Sequence, residues 1–243
     1  LSTDIITVLT PEGTILFESD SVELILGYTK DELIGLNAFS FIHKDDFNKV
    51  LGEFEIGFKN PGTSIISQYR FRKANGSYAY LESTGTNFNI PYNSNVVIIS
   101  RDVSARIESE KRLNRLTAAV EQSSNTVVIT DTNGNIEYVN KKFFDLTGYN
   151  KEEVIGKNPS VLHSGETPGE VYKDMWTTIL TGKVWEGELR NRKKSGELYW
   201  ERIKITPVVD ENDSITNFIA IKDDISKEKF TNEKLEQSLH EKE

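Results

Sequence analysis

His43, Asp45 and Asp46 stand close together in Ile42-His-Lys-Asp-Asp46, a grouping that suggests a metal site or an acid–base pair. Chemistry at such a site requires groups that converge in space. Three polar residues at the start of a helical stretch read more simply as end-capping. Asp45 and Asp46 are expected to cap the helix that follows, with His43 packing or hydrogen-bonding locally. His163, in Val161-Leu-His-Ser-Gly165, raises haem ligation, because neutral imidazole is a common axial ligand. Its place in a loop before a helix favours a solvated or backbone-bonded ring instead, so haem through His163 is not expected. No GxGxxG, P-loop or HExxH spacing occurs. The chain has no cysteine, which excludes disulfides, thiolate zinc sites and thiol nucleophiles. Intrinsic catalysis is therefore not expected within these 243 residues.

The elements that would position such groups come in two copies. Asp4-Ile-Ile-Thr-Val-Leu-Thr-Pro-Glu-Gly13 lines up with Asn125-Thr-Val-Val-Ile-Thr-Asp-Thr-Asn-Gly134. Leu26-Gly-Tyr-Thr-Lys-Asp-Glu-Leu-Ile-Gly35 lines up with Thr147-Gly-Tyr-Asn-Lys-Glu-Glu-Val-Ile-Gly156, and Arg70-Phe-Arg-Lys with Arg190-Asn-Arg-Lys. The offset stays at roughly 121 positions, which marks an internal repeat. The length suits two domains, each with its own core.

Each copy opens on a hairpin. In the second, Val127–Thr130 and Ile136–Val139 flank Asp131-Thr-Asn-Gly134. Capping boxes follow at Thr29–Glu32 and Asn150–Glu153. In the second copy Thr167 is expected to cap a helix with Pro168 at its first position. Val171, Met175 and Ile179 give that helix an inward face, flanked by Tyr172, Trp176 and Leu180. The first copy has a weakly amphipathic helix to about Gly57 in its place. Three antiparallel strands close each copy, in the second at 184–193, 197–207 and 215–222. The alternation of Glu201, Ile203 and Ile205 against Trp200, Arg202, Lys204 and Thr206 gives one face for helices to cover. The expected fold class is α+β, each domain a five-stranded antiparallel sheet covered by short helices.

The stretch Asp102–Gln122 has neither Pro nor Gly and carries Ile107, Leu113, Leu116 and Val120 as a narrow apolar stripe among charges. A similar charged stretch, Asp223–Glu243, closes the chain. The expected organisation is a first domain over 1–103, a connector helix over 104–122, a second domain over 123–225 and an exit helix over 226–243. The stripe is expected to pair with a second copy in a parallel coiled coil, giving a homodimer, rather than fold back on its own domain.

Both copies resemble PAS domains through the Asp-x-x-Gly hairpin (Thr10-Pro-Glu-Gly13 in the first copy), Leu/Thr-Gly-Tyr-x-x-Asp/Glu-Glu with its following Ile-Gly, the Arg-x-Arg-Lys strand pair, and the exits Arg101-Asp-Val-Ser104 and Asp223-Asp-Ile-Ser226. The first is similar to a subclass carrying Ile-His-Pro-Asp-Asp, with Lys44 in place of the proline. The second resembles a subclass that includes flavin-binding redox sensors, through Gly156-Lys-Asn-Pro159 and Val184-Trp-Glu-Gly-Glu-Leu-Arg-Asn191. The tail from Leu235 is similar to the lead-in of histidine-kinase phosphoacceptor helices.

That resemblance implies a small-molecule pocket between helices and sheet in the second domain. Trp176 and Trp185 would stack on or brace an isoalloxazine. Asn158 and Asn191 would read its pyrimidine edge. FAD is the best candidate, and cysteinyl-flavin photochemistry is excluded by composition. The first domain, with Tyr80, Asn87 and Phe88 as ordinary strand residues, is expected to hold no ligand. The implied function is a sensory tandem region of a histidine kinase. It would relay a ligand- or redox-driven change through dimeric exit helices to a C-terminal kinase domain in a longer chain. The alternative is a ligand-free dimerisation and docking module; a flavin-dependent enzyme is a third reading, weakened by the lack of an acid–base pair near the pocket. The net charge of −9 argues against a nucleic-acid partner. No run of about 20 apolar residues marks a membrane segment, so a cytoplasmic location is expected, with upstream tethering of a longer chain left open.

Overall fold

The computed structural model describes residues 4–60, 62–87 and 95–240; Phe88, the first three residues and the last three lie outside it. The chain divides into two compact units, Leu1–Leu113 and Asn114–Glu243. In the first, β1 (Ile5–Leu9) and β2 (Ile15–Glu18) form a hairpin, followed by short helices α1 (Ser21–Leu26) and α2 (Lys30–Leu33). A 3-10 turn, helix α3 (Lys44–Lys59) and strands β3 (Ser64–Arg72), β4 (Tyr78–Asn87) and β5 (Val96–Asp102) complete it. Helix α4 (Ser104–Glu121) runs on from β5. The second unit repeats this order with β6 (Thr126–Asp131), β7 (Ile136–Val139), α5 (Lys141–Thr147), α6 (Lys151–Val154) and α7 (Gly169–Leu180). It ends with β8 (Trp185–Arg192), β9 (Leu198–Val209), β10 (Ile215–Asp224) and α8 (Ser226–His240).

Both sheets are antiparallel, with orders β2-β1-β5-β4-β3 and β7-β6-β10-β9-β8. The last strand of each domain is thus central, between the opening hairpin and the rest of the meander. It is also the strand that runs into an exit helix. The inner faces carry the cores: Ile5, Leu9, Phe71 and Leu81 in the first domain, Val128, Ile136, Ile203 and Phe218 in the second. Each such side chain contributes about 1.5–3 kcal/mol by leaving water.

Local chemistry sets the turns. Both capping boxes form, with the Thr29 and Asn150 backbone N–H groups donating to Glu32 (2.7 Å) and Glu153 (2.9 Å). Two expected caps are corrected. The α3 cap is His43, whose Nδ1 accepts from the Asp45 N–H at 3.2 Å. Asp46 instead clamps Arg70 of β3, taking its Nε at 2.8 Å and its backbone N–H at 2.9 Å. The Arg70 guanidinium holds the Asp46 carboxyl down at about 2. In the second domain α7 begins at Gly169, with Pro168 at the cap position. The Thr167 hydroxyl is drawn away to accept the Arg190 N–H of β8 at 3.0 Å. A strand N–H otherwise unpaired outcompetes a helix end that water can reach.

Both exits use one device. Asp102 and Asp224 accept from the Ser104 and Ser226 N–H groups at 2.8 and 3.0 Å. The serine hydroxyls accept from the N–H of Tyr80 and Trp200, both at 2.9 Å. Strand and helix are therefore joined by side-chain hydrogen bonds as well as by the chain. No helix among the described residues is long and apolar enough to cross a membrane.

Candidate ligand-binding site

In the second domain α7 lies over the inner face of the sheet with a cavity of about 190 Å³ beneath it. Tyr172, Met175, Trp176 and Ile179, spaced along one helix face, roof it. Val128, Ile203, Ile205 and Phe218 help form its floor. Trp176 meets Phe218 edge-on, with ring centroids 6.1 Å apart at 86°. Its approach needs Gly134: a Cβ there would stand 2.7 Å from Trp176 Cη2 and 2.8 Å from Asn158 Nδ2. At φ +81° that residue also turns the opening hairpin.

Asn158, Trp176 and Asn191 all line this cavity. Asn158 is largely committed to the fold, its Oδ1 accepting from the Ser160 N–H (3.0 Å) and its Nδ2 donating to the Gly134 carbonyl (3.1 Å). Asn191 donates through Nδ2 to Glu201 Oε2 at 2.9 Å, which leaves Oδ1 as the acceptor.

Trp185 is corrected. It is not among the residues lining the cavity. As the first residue of β8 it lays its ring along the strand over Gly187, and its Nε1 donates to Asp174 of α7 at 2.8 Å. That indole fastens helix to sheet.

Sequence reasoning missed a pair at the cavity's end. Glu201 is fully buried and Lys222 is 6% exposed, and their side chains meet at 3.1 Å. Glu201 also accepts from Tyr199 Oη at 2.7 Å, so its two oxygens take three donors. A buried ion pair is tolerable only when its remaining lone pairs are satisfied in this way. Burial and the Glu201 charge push the Tyr199 phenol up, keeping it a donor. Lys222 itself lines the cavity. The signal was legible: Glu201 sits at an inward position of the strand alternation, where an acid requires a partner.

His163 also lines the cavity, bridging to Asn191 in the backbone and packing on Tyr172 with ring centroids 4.1 Å apart. Burial, and then the charge of Lys222, lower its pKa, which favours the neutral ring. The set of an aromatic and apolar slot, an amide oxygen and an ammonium at one end fits a planar heteroaromatic ring with a polar edge.

The first domain has a smaller cavity of about 70 Å³ between α3 and its sheet. Strand register places Phe71, Leu81 and Ser100 where the second domain has Asn191, Glu201 and Lys222.

On α4, Leu113 and Leu116 are 64% and 57% exposed, whereas Ile107 and Val120 are half-buried. The expected four-residue stripe is thus open only at its centre. Val120 is held where Asn140 Nδ2 donates to its carbonyl (3.0 Å) and Glu121 accepts from Tyr138 Oη (2.6 Å). On α8, Phe230, Leu235 and Leu239 are exposed.

Comparison with known proteins places this geometry. Residues 124–227 match the PAS domain family and residues 15–100 the PAS fold family. A nitrogen fixation regulatory protein of Klebsiella oxytoca is 39% identical over 107 residues, which are 44% of this chain and 22% of that protein. A blue-light-activated histidine kinase of Brucella anthropi is 33% identical over 118 residues, 47% of this chain and 24% of the relative. The aerotaxis receptor of Escherichia coli is 31% identical over 93 residues, 38% and 18% of the two chains. The matches thus span about a quarter or less of these relatives' lengths. Among solved structures, an RNA-binding light-oxygen-voltage receptor aligns over 98% of this chain and 99% of its own, at 15% identity and a TM-score of 0.48.

Proposed function

The chain carries two PAS domains in tandem; from that premise we propose that it is a sensory, signal-transducing region whose second domain is the ligand-sensing unit, with FAD as its best candidate ligand. A bound flavin would supply a redox-dependent change of charge and protonation. Asn158, Trp176 and Asn191 would hold it, with Lys222 beside them.

One observation carries the reading: Lys222 lines the cavity, and two residues later on β10 Asp224 caps α8. A change in the charge facing Lys222 alters its bond to Glu201. Glu201 stands opposite Asp224 in the β9–β10 register. The exit helix is further tied to the sheet by Lys229–Glu188 (2.6 Å) and Arg202–Glu228 (3.2 Å). Ligand state and helix packing thus bias one connected element, which is what a switch requires.

The output proposed is a histidine-kinase domain following α8 in a longer chain, driven by a dimer in which Leu113 and Leu116 of two copies pack together. Support comes from the kinase relatives and from leucines that a single chain leaves in water. The visible absorption spectrum of purified protein tests the ligand. Flavin bands, lost in Trp176→Ala, are expected. Protein that is colourless and stays so after refolding with excess FAD would leave the ligand-free docking module as the reading.

A further inference from the structure

Among the described residues that line the second-domain cavity, Lys222 is the one with a formal charge. Its partner Glu201 does not line the cavity, although the two side chains meet at 3.1 Å. The pair is neutral as a whole, yet it presents its ammonium to the cavity and keeps its carboxylate behind the wall. Lys222 Nζ and Asn191 Nδ2 both donate to Glu201 Oε2, at 3.1 and 2.9 Å, which brings ammonium and amide together at one end. A lysine ammonium has three N–H donors. Glu201 takes one, and no second acceptor for it stands among the described residues. The titratable rings on the same wall favour their neutral forms, since burial lowers the pKa of His163 and raises that of Tyr172.

A charge on the wall of an apolar cavity acts on whatever fills the cavity, because little water lies between to screen it. A neutral ring meets Lys222 as a dipole, whereas a ring with a negative charge meets it as an opposite charge. Oxidised FAD has a neutral ring system. Two electrons and one proton convert it to a reduced form with one negative charge, held on the pyrimidine ring. The two forms have nearly the same size and the same apolar faces, so Met175, Trp176 and Ile179 do not tell them apart. The ammonium does. Glu201 behind it offsets part of the attraction, which keeps the expected preference at about tenfold.

We propose that Lys222 makes the second-domain site select the reduced, anionic form of FAD over the oxidised form. The proposal rests on the flavin reading above and adds the sign of the response: reduction tightens the hold on the ligand at the strand that runs into α8. The first domain offers no such preference. Ser100 stands at the position of Lys222, and the charged residue on the wall of that cavity, among the described residues, is Glu53.

The test is a potentiometric titration of the 243-residue chain loaded with FAD, at mildly alkaline pH with dithionite as electron donor, beside free FAD. A reduced form held about tenfold tighter raises the midpoint potential by about 30 mV, the two-electron equivalent of that ratio. Lys222→Gln keeps a donor for Glu201 but loses the charge, and should bring the potential back to that of free FAD or below. Lys222→Arg keeps the charge and should keep the shift. Glu201→Gln removes the offsetting charge and should raise the potential further, which gives a second reading if Lys222→Gln does not fold. A parent potential at or below that of free FAD overturns the inference. So does a Lys222→Gln chain that holds FAD at the parent's potential, or a Glu201→Gln chain whose potential falls. Protein that takes up no FAD overturns the flavin reading together with this one, whereas bound FAD with an unshifted potential overturns this one alone.

Discussion

The two domains share a frame and differ in where they bury charge. At the opening hairpin the first domain pairs Thr7 with Glu18, where the second pairs Val128 with Val139. At the far strands the second buries Glu201 and Lys222, where the first has Leu81 and Ser100. The capping boxes and the strand-to-helix exits are the same in both. The frame rests on backbone groups and short-range side-chain bonds, so interior polar residues can move without changing the topology. In the second domain the buried acid is fully satisfied beside the larger cavity. In the first, Glu18 has only the Thr7 hydroxyl, at 3.0 Å from each oxygen, and three buried atoms lining the adjoining cavity, Glu53 Oε2, Ser67 Oγ and Asn87 Oδ1, have no hydrogen-bond partner among the described residues.

The largest effect expected from breaking this contrast is in the second domain. Lys222→Met alone strands Glu201 and should cost about 3–5 kcal/mol in denaturant unfolding, whereas adding Glu201→Leu should recover part of that loss, the Tyr199 hydroxyl and Asn191 amide then lacking their acceptor. A double-mutant cycle with no coupling would show that the pair does not act as one unit.

The next effect is a pH dependence of opposite sign in the first domain. Burial pushes the Glu18 carboxyl up to about 7. The folded state therefore holds a proton that the unfolded state has released, and stability is full below about pH 4.5 and falls as pH rises to about 7. Glu18→Gln should flatten that slope, with a gain on the order of 3 kcal/mol at pH 8. Asp46, held at about 2 by Arg70, stabilises above about pH 4 and loses its contribution as pH falls towards 2. Asp46→Asn should therefore weaken the first domain at neutral pH and not at pH 2.

A smaller effect separates the two tryptophans. Trp185→Phe removes the bond to Asp174 and should cost about 1–2 kcal/mol of stability while leaving ligand retention unchanged. Trp176→Phe should alter retention more than stability. If Trp185→Phe sheds the chromophore without loss of stability, the assignment of these two rings is reversed.

The smallest effect on the fold is at the connector. Leu113→Glu with Leu116→Glu changes side chains that are exposed in one chain, so unfolding should shift by less than about 0.5 kcal/mol. The sedimentation mass should nevertheless halve, because charges in a dimer seam would be desolvated without partners. An unchanged mass, or a monomeric parent, would count against the dimer.

Much of this was written in the sequence. The 121-residue repeat, the capping boxes and the strand alternation depend on neighbours within a few positions, or on a periodicity that any segment displays by itself. They predicted two five-stranded sheets and, in the second domain, the strands and α7 to within a few residues. What misled was competition between distant groups. Thr167 is a sound cap by type, yet its hydroxyl answers an N–H 23 residues away. Trp185 and Trp176 are alike in composition, and only strand direction and helix packing put one in the wall of a cavity and the other along a strand.

By itself, then, the sequence determined the repeat, the order of elements, the turns and the strand-to-helix exits, because those follow from local hydrogen bonding and hydrophobic period. Only the tertiary structure decided which polar residues meet inside: Glu201 with Lys222 across two strands, and Asp46 with Arg70 across helix and sheet. Burial makes those meetings matter, and burial belongs to the packed domain rather than to any stretch of the chain.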